Sequence, residues 1–142
     1  MLNYPMTFET QASAAHGTGS PWSAKSTEYE IAISIPPEFS GPGGAMSPED
    51  LFAHALTNCF LATFKVLAEN SKVTFENISV KSRLIVDRDD QKRPCMQACH
   101  LSIQLTAPSD ENKAKRLMEK ALQSGFILNS VKTIISHDIE IT

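Results

Sequence analysis

Hydrophobic and polar residues alternate with a period of two in several parts of this chain, a pattern that is typical of half-buried strands. The two earliest segments with this pattern, residues 5–12 and 26–35, predict antiparallel strands at the start of the chain. Residues 73–87 and 95–106 predict two longer strands, which we expect to pair antiparallel because a short, highly charged segment joins them. A last strand is predicted at residues 133–142.

The longest apolar stretch predicts a helix that is buried on most sides. Its start is well marked, with Ser47 as N-cap, Pro48 at the first helical position, and the acids Glu49 and Asp50 at the positive end of the helix dipole. Across residues 51–68 the apolar side chains occupy more than one helical face. We expect the sheet of the same chain to cover this helix, and a second subunit is a candidate for covering the rest of its surface.

A second, amphipathic helix is predicted after residues 108–111, with Gly125 as its C-cap. A short helical or turn segment at 127–132 then leads to the last strand. Residues 14–21 and 36–46 are rich in glycine, proline and small residues and predict irregular structure. The order of strands, buried helix, strands, surface helix and strand indicates an α+β fold.

Length, charge and cysteine content narrow the choice of function classes. The chain has 142 residues and no internal repeat, so we expect one domain over residues 1–142. Its net charge of −3 offers no field that would attract a nucleic acid. There is no basic opening followed by an apolar core, and no window approaches the ~20 apolar residues of a membrane span, so we expect a cytoplasmic protein without a membrane partner. Three cysteines argue against a disulfide framework.

Cys59, in the middle of the long apolar helix, is the main candidate for chemistry. A thiol among large apolar side chains could serve as a nucleophile that is shielded from water and reached by an apolar substrate. The alternative is a structural role, because cysteine also packs as a small hydrophobic residue and is among the most buried residue types.

The stretch Ser47–Phe60, Ser-Pro-Glu-Asp-Leu-Phe-Ala-His-Ala-Leu-Thr-Asn-Cys-Phe, resembles the signature of the OsmC-like family, which includes the organic hydroperoxide resistance proteins. Members of that family carry a Pro-Glu-x-Leu-Phe opening and an Ala-x-x-x-Cys-Phe type of centre on a buried helix. The predicted order of elements and the closing stretch Asn129-Ser130-Val131 are similar as well. The resemblance therefore covers nearly the whole chain.

The resemblance implies antiparallel sheets around a long buried helix, an intertwined homodimer, and a thiol at the subunit interface that attacks organic hydroperoxides. Cys59 would be that peroxidatic thiolate, and Glu49 would help to hold an arginine that stabilises it. The alternative role for Glu49 is that of an N-terminal helix acid favoured by the dipole alone. Ten helical residues rise ~15 Å, so Glu49 and Cys59 of one helix cannot touch directly.

Two features of the family pattern are missing. No arginine precedes Arg83, which leaves Lys25 as the candidate for the cation that an activated thiol needs. The family's second cysteine would lie where this chain has residues 124–126, Ser-Gly-Phe. Cys95 and Cys99 are the candidates for a resolving thiol, with strand packing as their alternative role. Four residues apart on a strand, they are expected to face the same side, about 13 Å from each other.

These features predict a thiol-dependent peroxidase of antioxidant defence that reduces organic hydroperoxides through Cys59 and uses an external thiol as reductant, in the manner of a one-cysteine variant. The alternative is a dimeric domain that binds a small hydrophobic ligand without efficient peroxidase activity, and the two missing features favour it. A structural interaction protein is a third possibility. We expect no metal or other cofactor, because the spacing in residues 95–100 fits neither a zinc knuckle nor a haem attachment site.

Overall fold

The computed structural model describes residues 2–142, which form two compact units, one ending at Leu51 and the other beginning at Phe52. The first unit contains a three-stranded antiparallel sheet in the order β1-β2-β3. Its strands are β1 (Gln11–Ser13), β2 (Trp22–Ser26) and β3 (Tyr29–Ile33).

The predicted boundaries of these early strands are largely wrong. Residues 2–10 form no strand, so the predicted segment 5–12 contributes only its last two residues to β1. The predicted strand 26–35 contains a hairpin turn, because β2 ends at Ser26 and Thr27 adopts a left-handed φ of 52°. The turn lacks glycine, proline or asparagine, the residues that usually mark such a reversal, so the alternating pattern concealed it.

The segment between β3 and α1 is irregular, as predicted, and backbone hydrogen bonds hold its two ends together. The amide of Ser34 donates to the carbonyl oxygen of Met46 at 2.9 Å, and a 3₁₀ turn spans Pro37–Phe39. Gly41 lies so close to the backbone of Ile35 that an added Cβ would sit 2.1 Å from its carbonyl oxygen. Only glycine allows this close approach.

Helix α1 (Pro48–Asn70) begins where the sequence predicts. The hydroxyl of Ser47 accepts a hydrogen bond from the amide of Asp50, and the Asp50 carboxylate accepts one from the amide of Ser47, both at 3.0 Å. This reciprocal pair is a capping box with aspartate in the place of the more common glutamate. It satisfies two amides that the first helical turn would otherwise leave without partners.

By length and composition α1 could cross a membrane, so the expectation that no window approaches a span is wrong on those two criteria. The core helix of a soluble protein meets the same criteria. Five residues of α1 are buried within the chain: Leu56, Thr57, Phe60, Phe64 and Ala68.

The second unit contains a mixed sheet in the order β4-β5-β6. Strands β4 (Asn77–Arg88) and β5 (Pro94–Thr106) pair antiparallel, as predicted. Strand β6 (Ile134–Ile141) instead runs parallel to β5, so the expectation of purely antiparallel sheets is wrong here. A parallel pair needs a crossover connection, which helix α2 (Glu111–Ser124) and a 3₁₀ turn at Leu128–Ser130 supply.

Both helices pack on the same face of this mixed sheet. The core consists of apolar side chains from α1, β5, α2 and the 3₁₀ turn, together with Val73 between α1 and β4, and β4 and β6 add half-buried residues at its edges. Its most completely buried large side chains are Leu56, Phe60, Phe64, Leu101, Ile103, Leu105 and Met118. The α+β class is thus confirmed, with two helices and two small sheets, whereas the homodimer and the single domain stay predictions.

We expect Ser47→Ala to destabilise the protein by about 1 kcal/mol, because it removes the side-chain acceptor for the amide of Asp50 at the start of α1. Urea unfolding followed by circular dichroism measures the change. Ser20→Ala, in an exposed loop, is the matched control and should leave the midpoint unchanged. Equal midpoints for the two variants would contradict a stabilising role for the capping box.

Candidate active site

Cys59 lies in the middle of α1, half-buried and packed against the apolar core of the second unit. Its sulfur faces Gly125, the residue that follows α2: a Cβ added at Gly125 would lie 2.8 Å from Sγ and 3.1 Å from a methyl carbon of Leu128. The thiol therefore rests against bare backbone in apolar surroundings. This position suits a nucleophile that meets an apolar substrate, and it equally suits a packed hydrophobic side chain.

The part of α2 that meets the thiol is its C-terminal end. The amide of Gly125 donates to the carbonyl oxygen of Ala121 at 3.2 Å and so closes the last turn. A helix C-terminus carries partial negative charge, which does not stabilise a thiolate. Within residues 2–142 the thiol of Cys59 makes no hydrogen bond.

Glu49 lies in the first turn of α1, but the cap is formed by Ser47 and Asp50. Its carboxylate has no hydrogen bond or ion pair among the residues that the structure describes. Lys25 lies on β2, where its ammonium group is 3.9 Å from the carboxylate of Glu30 on the neighbouring strand. Both side chains of this pair are more than half exposed, so the pair adds little stability.

Cys95 and Cys99 do not share a face of the sheet, contrary to the expectation from their spacing. Cys99 pairs with Leu84 and Cys95 with Asp87, and these partners lie three residues apart on β4. Directly paired residues point to the same side, so the two cysteines point to opposite sides. The cause is a β-bulge that makes Gln97 an extra residue in β5, which spacing along the sequence could not reveal.

The two strand cysteines also differ in their surroundings. Cys99 is fully buried in the core, and loss of solvent raises the pKa of its thiol. Cys95 is half-exposed and lines a surface pocket of about 660 Å³, together with Phe52 of α1 and Met96. A buried thiol of raised pKa is a poor nucleophile near neutral pH, so Cys99 is chemically the weaker of the two resolving candidates.

The outer face of the mixed sheet carries a hydrogen-bonded row that the sequence did not predict. His100 Nε2 donates to Asp138 Oδ2 at 2.7 Å, His100 Nδ1 lies 2.7 Å from the hydroxyl of Ser136, and Ser102 donates to the same Asp138 oxygen at 3.1 Å. Parallel pairing of β5 with β6 brings these residues together. They lie on an open, solvated face, with His100 41% and Asp138 63% exposed, which favours a role in sheet stability over hydrolase-type chemistry.

The family model described as OsmC-like protein matches residues 41–140 of this chain. An uncharacterized protein of Acinetobacter baylyi is 24% identical over 137 residues, which cover 94% of this chain and 92% of that protein. Among solved structures, an OsmC-like protein of unknown function from Vibrio cholerae has a TM-score of 0.86 at 16% identity, covering 96% of this chain and 100% of its own. An organic hydroperoxide resistance protein OsmC from Legionella pneumophila has a TM-score of 0.74 at 21% identity, with 99% of both chains covered.

We expect iodoacetamide to label Cys99 of the folded protein at least about tenfold more slowly than Cys95, because the core has to open before the reagent reaches Cys99. Peptide mass spectrometry of timed samples measures both rates. In denaturant the two cysteines should react alike, which serves as the control. Equal rates in the folded protein would contradict the buried position of Cys99.

The hydrogen bond from His100, assisted by the one from Ser102, lowers the pKa of Asp138 below its ordinary value. Its stabilising contribution is therefore full above the unfolded pKa of about 3.9 and is lost as the pH falls through the lower folded pKa. We expect Asp138→Asn to lower the urea midpoint near neutral pH, with a difference from wild type that shrinks in acid. Glu140→Gln, an exposed carboxylate on the same strand, is the control; an equal deficit at all pH values would contradict this linkage.

Proposed function

Because the chain belongs to the OsmC-like protein family, we propose that it is a thiol peroxidase that reduces organic hydroperoxides through Cys59. The proposal rests chiefly on one observation, the half-buried Cys59 thiol held against apolar side chains on the central helix. Such surroundings favour a hydroperoxide with an apolar substituent over hydrogen peroxide. The family model spans 100 residues that include Cys59, and we propose that the whole chain, residues 1–142, forms a single domain of this family.

The reaction would proceed in two stages. The Cys59 thiolate attacks the outer peroxide oxygen, the O–O bond breaks, and the leaving alkoxide takes a proton to give an alcohol while the sulfur becomes a sulfenic acid. A reducing thiol then condenses with the sulfenic acid, releases water and leaves a mixed disulfide. A second thiol displaces Cys59 from this disulfide and returns it to the thiol form.

The thiolate needs stabilisation that the end of α2 does not give. We propose Lys25 as the source of positive charge and Glu49 as the carboxylate that orients it. The side chain of Lys25 is 56% exposed, so it can turn toward a new partner at small cost, and Glu49 is half-buried. In the family pattern an arginine has this role, and this chain has no arginine before Arg83.

We propose a homodimer in the cytoplasm as the active form. Several large apolar side chains are uncovered in the single chain, among them Phe8 at 88%, Tyr29 at 77% and Val66 of α1 at 58% exposure. Exposed apolar surface of this kind typically marks an interface.

The alternative function is a dimeric domain that binds a small hydrophobic ligand and lacks efficient peroxidase activity. The pocket of about 660 Å³ beside the bulge of β5 favours it, because this volume is within the range of small-molecule sites and Phe52, Met96 and Val131 are part of its lining. The missing arginine and second cysteine favour it as well.

We expect the purified protein to reduce cumene hydroperoxide faster than hydrogen peroxide, with dithiothreitol or dihydrolipoamide as reductant, and Cys59→Ser to lower the rate to that of the uncatalysed reaction. Peroxide consumption is measured directly for both proteins. Ser20→Ala, in an exposed loop, is the control and should keep the activity. No turnover of either peroxide by the folded wild type would overturn the peroxidase proposal, and ligand binding that survives in Cys59→Ser would support the alternative.

A further inference from the structure

Two contacts show how α1 and α2 lie beside each other. The sulfur of Cys59, in the middle of α1, faces Gly125 at the end of α2. The ammonium group of Lys113, in the first half of α2, donates to the carbonyl oxygen of Ser71, just after the end of α1, at 2.9 Å. The two helices therefore run antiparallel, and the part of α2 that precedes Gly125 lies along the half of α1 that follows the thiol.

The exposed surface of α2 has two flanks of different charge. On one flank acidic and basic side chains alternate, and the Lys115 ammonium group lies 3.7 Å from the carboxylate of Glu111. The other flank consists of Lys113, Arg116 and Lys120, whose spacings of three and four place them on one side of the helix. This basic flank is the side toward α1, because Lys113 reaches the end of that helix.

Arg116 and Lys120 are not explained by the stability of the fold. Among residues 2–142 neither side chain makes a hydrogen bond or an ion pair, and both are exposed. Like charges four residues apart slightly destabilise a helix. Neither residue lies in the last turn of α2, where a cation would offset the helix dipole. The reason for two positive charges on this flank therefore lies outside the helix.

The segments of the second unit that meet at the thiol contain no carboxylate. The chain has 16 acidic residues, but none lies within residues 52–68 or 120–137. Lys120 precedes Gly125 by ~8 Å along the helix axis, which is about the Debye length at physiological ionic strength. Lys132 lies near Asp89, whose negative charge opposes it. A molecule that approaches Cys59 along α2 thus meets the positive charge of the basic flank.

We propose that the basic flank of α2 selects an anionic thiol, a small dithiol that carries a carboxylate, as the reductant of oxidised Cys59. This inference rests on the proposed peroxidase function, in which the reducing thiol comes from another molecule. Positive charge raises the local concentration of an anion, and it favours the thiolate form in which a reductant attacks. An uncharged organic hydroperoxide gains nothing from it, so the flank acts on the second stage of the cycle.

The chemistry of that stage balances with one dithiol. Its first thiolate attacks the sulfur of the Cys59 sulfenic acid, and the hydroxyl group leaves with a proton as water. Its second thiolate then attacks its own sulfur in the mixed disulfide and releases the Cys59 thiolate. The reductant leaves as a cyclic disulfide, having supplied the two electrons that reduce the sulfenic acid.

The first test compares dihydrolipoate with dihydrolipoamide as reductants of the wild type, with cumene hydroperoxide as oxidant. The two dithiols differ only in that a carboxylate replaces a neutral amide. We expect kcat/KM to be at least about threefold higher for dihydrolipoate at low ionic strength, and the ratio to fall toward one as added salt screens the charges. Equal values of kcat/KM at low ionic strength would overturn the proposal.

The second test is Lys120→Glu, with Lys81→Glu, an exposed lysine of β4, as the control of equal charge change. We expect Lys120→Glu to lower kcat/KM for dihydrolipoate by about fivefold or more and to change the value for dihydrolipoamide much less. Lys120→Gln should give a smaller change in the same direction. The rate at which cumene hydroperoxide oxidises Cys59, followed by stopped flow, should stay at the wild-type value. Equal losses with both reductants, or the same loss in Lys81→Glu, would contradict a selective role of the flank.

A third measurement separates this inference from the peroxidase function. A neutral pyridyl disulfide forms a mixed disulfide with Cys59 without any peroxide, and mass spectrometry of the Cys59 peptide follows its reduction by each dithiol. Faster reduction by dihydrolipoate in a wild type that consumes no peroxide would support the charge selection and reject the enzyme. An active wild type that uses both dithiols equally well would reject the charge selection alone.

Discussion

The packing of α1 against the core face of β5 is the constraint on which the second unit depends. Leu56, Phe60 and Phe64 recur on one side of the helix and are fully buried with Leu101 and Ile103 of the strand. Burying three such helix side chains contributes on the order of several kcal/mol, a sum comparable to the net stability of a small domain. This packing fixes the orientation of α1 about its own axis. That orientation places the Cys59 sulfur toward the C-terminal end of α2.

Local signals were predictable from the sequence, and signals that depend on distant partners were not. Ser47 and Asp50 cap α1 through neighbours three residues apart, and Asp110 caps α2 in the same way by accepting from the amide of Lys113. The parallel pairing of β6 and the extra residue Gln97 in β5 arise from strand register, which no local pattern encodes. The hairpin at Thr27 escaped prediction because its residues are not typical of turns.

In the candidate site, too, one residue was predictable from local sequence and the other depends on a distant contact. Cys59 could be identified from its position in an apolar helix, because the contrast between a thiol and large apolar residues is visible in the sequence. The local pattern predicted Gly125 as a helix C-cap, and the family resemblance placed the missing second cysteine at residues 124–126. Gly125 is the C-cap, although its φ of −64° is not the left-handed value that favours glycine there. Its contact with the thiol joins residues 66 positions apart in the chain and becomes visible only once α1 and α2 are packed on one sheet.

Membership of the OsmC-like family settles the fold more firmly than the chemistry. A peroxidatic thiol needs a stabilised thiolate and a second thiol that reduces the oxidised sulfur, and these are separate requirements. The surroundings of Cys59 within its own unit are apolar and include a helix C-terminus, which does not stabilise a thiolate. Of the remaining thiols, Cys99 is desolvated in the core, whereas Cys95 is half-exposed. The fold thus follows from contacts within the chain, whereas the chemistry of Cys59 depends on which charged group and which thiol approach it.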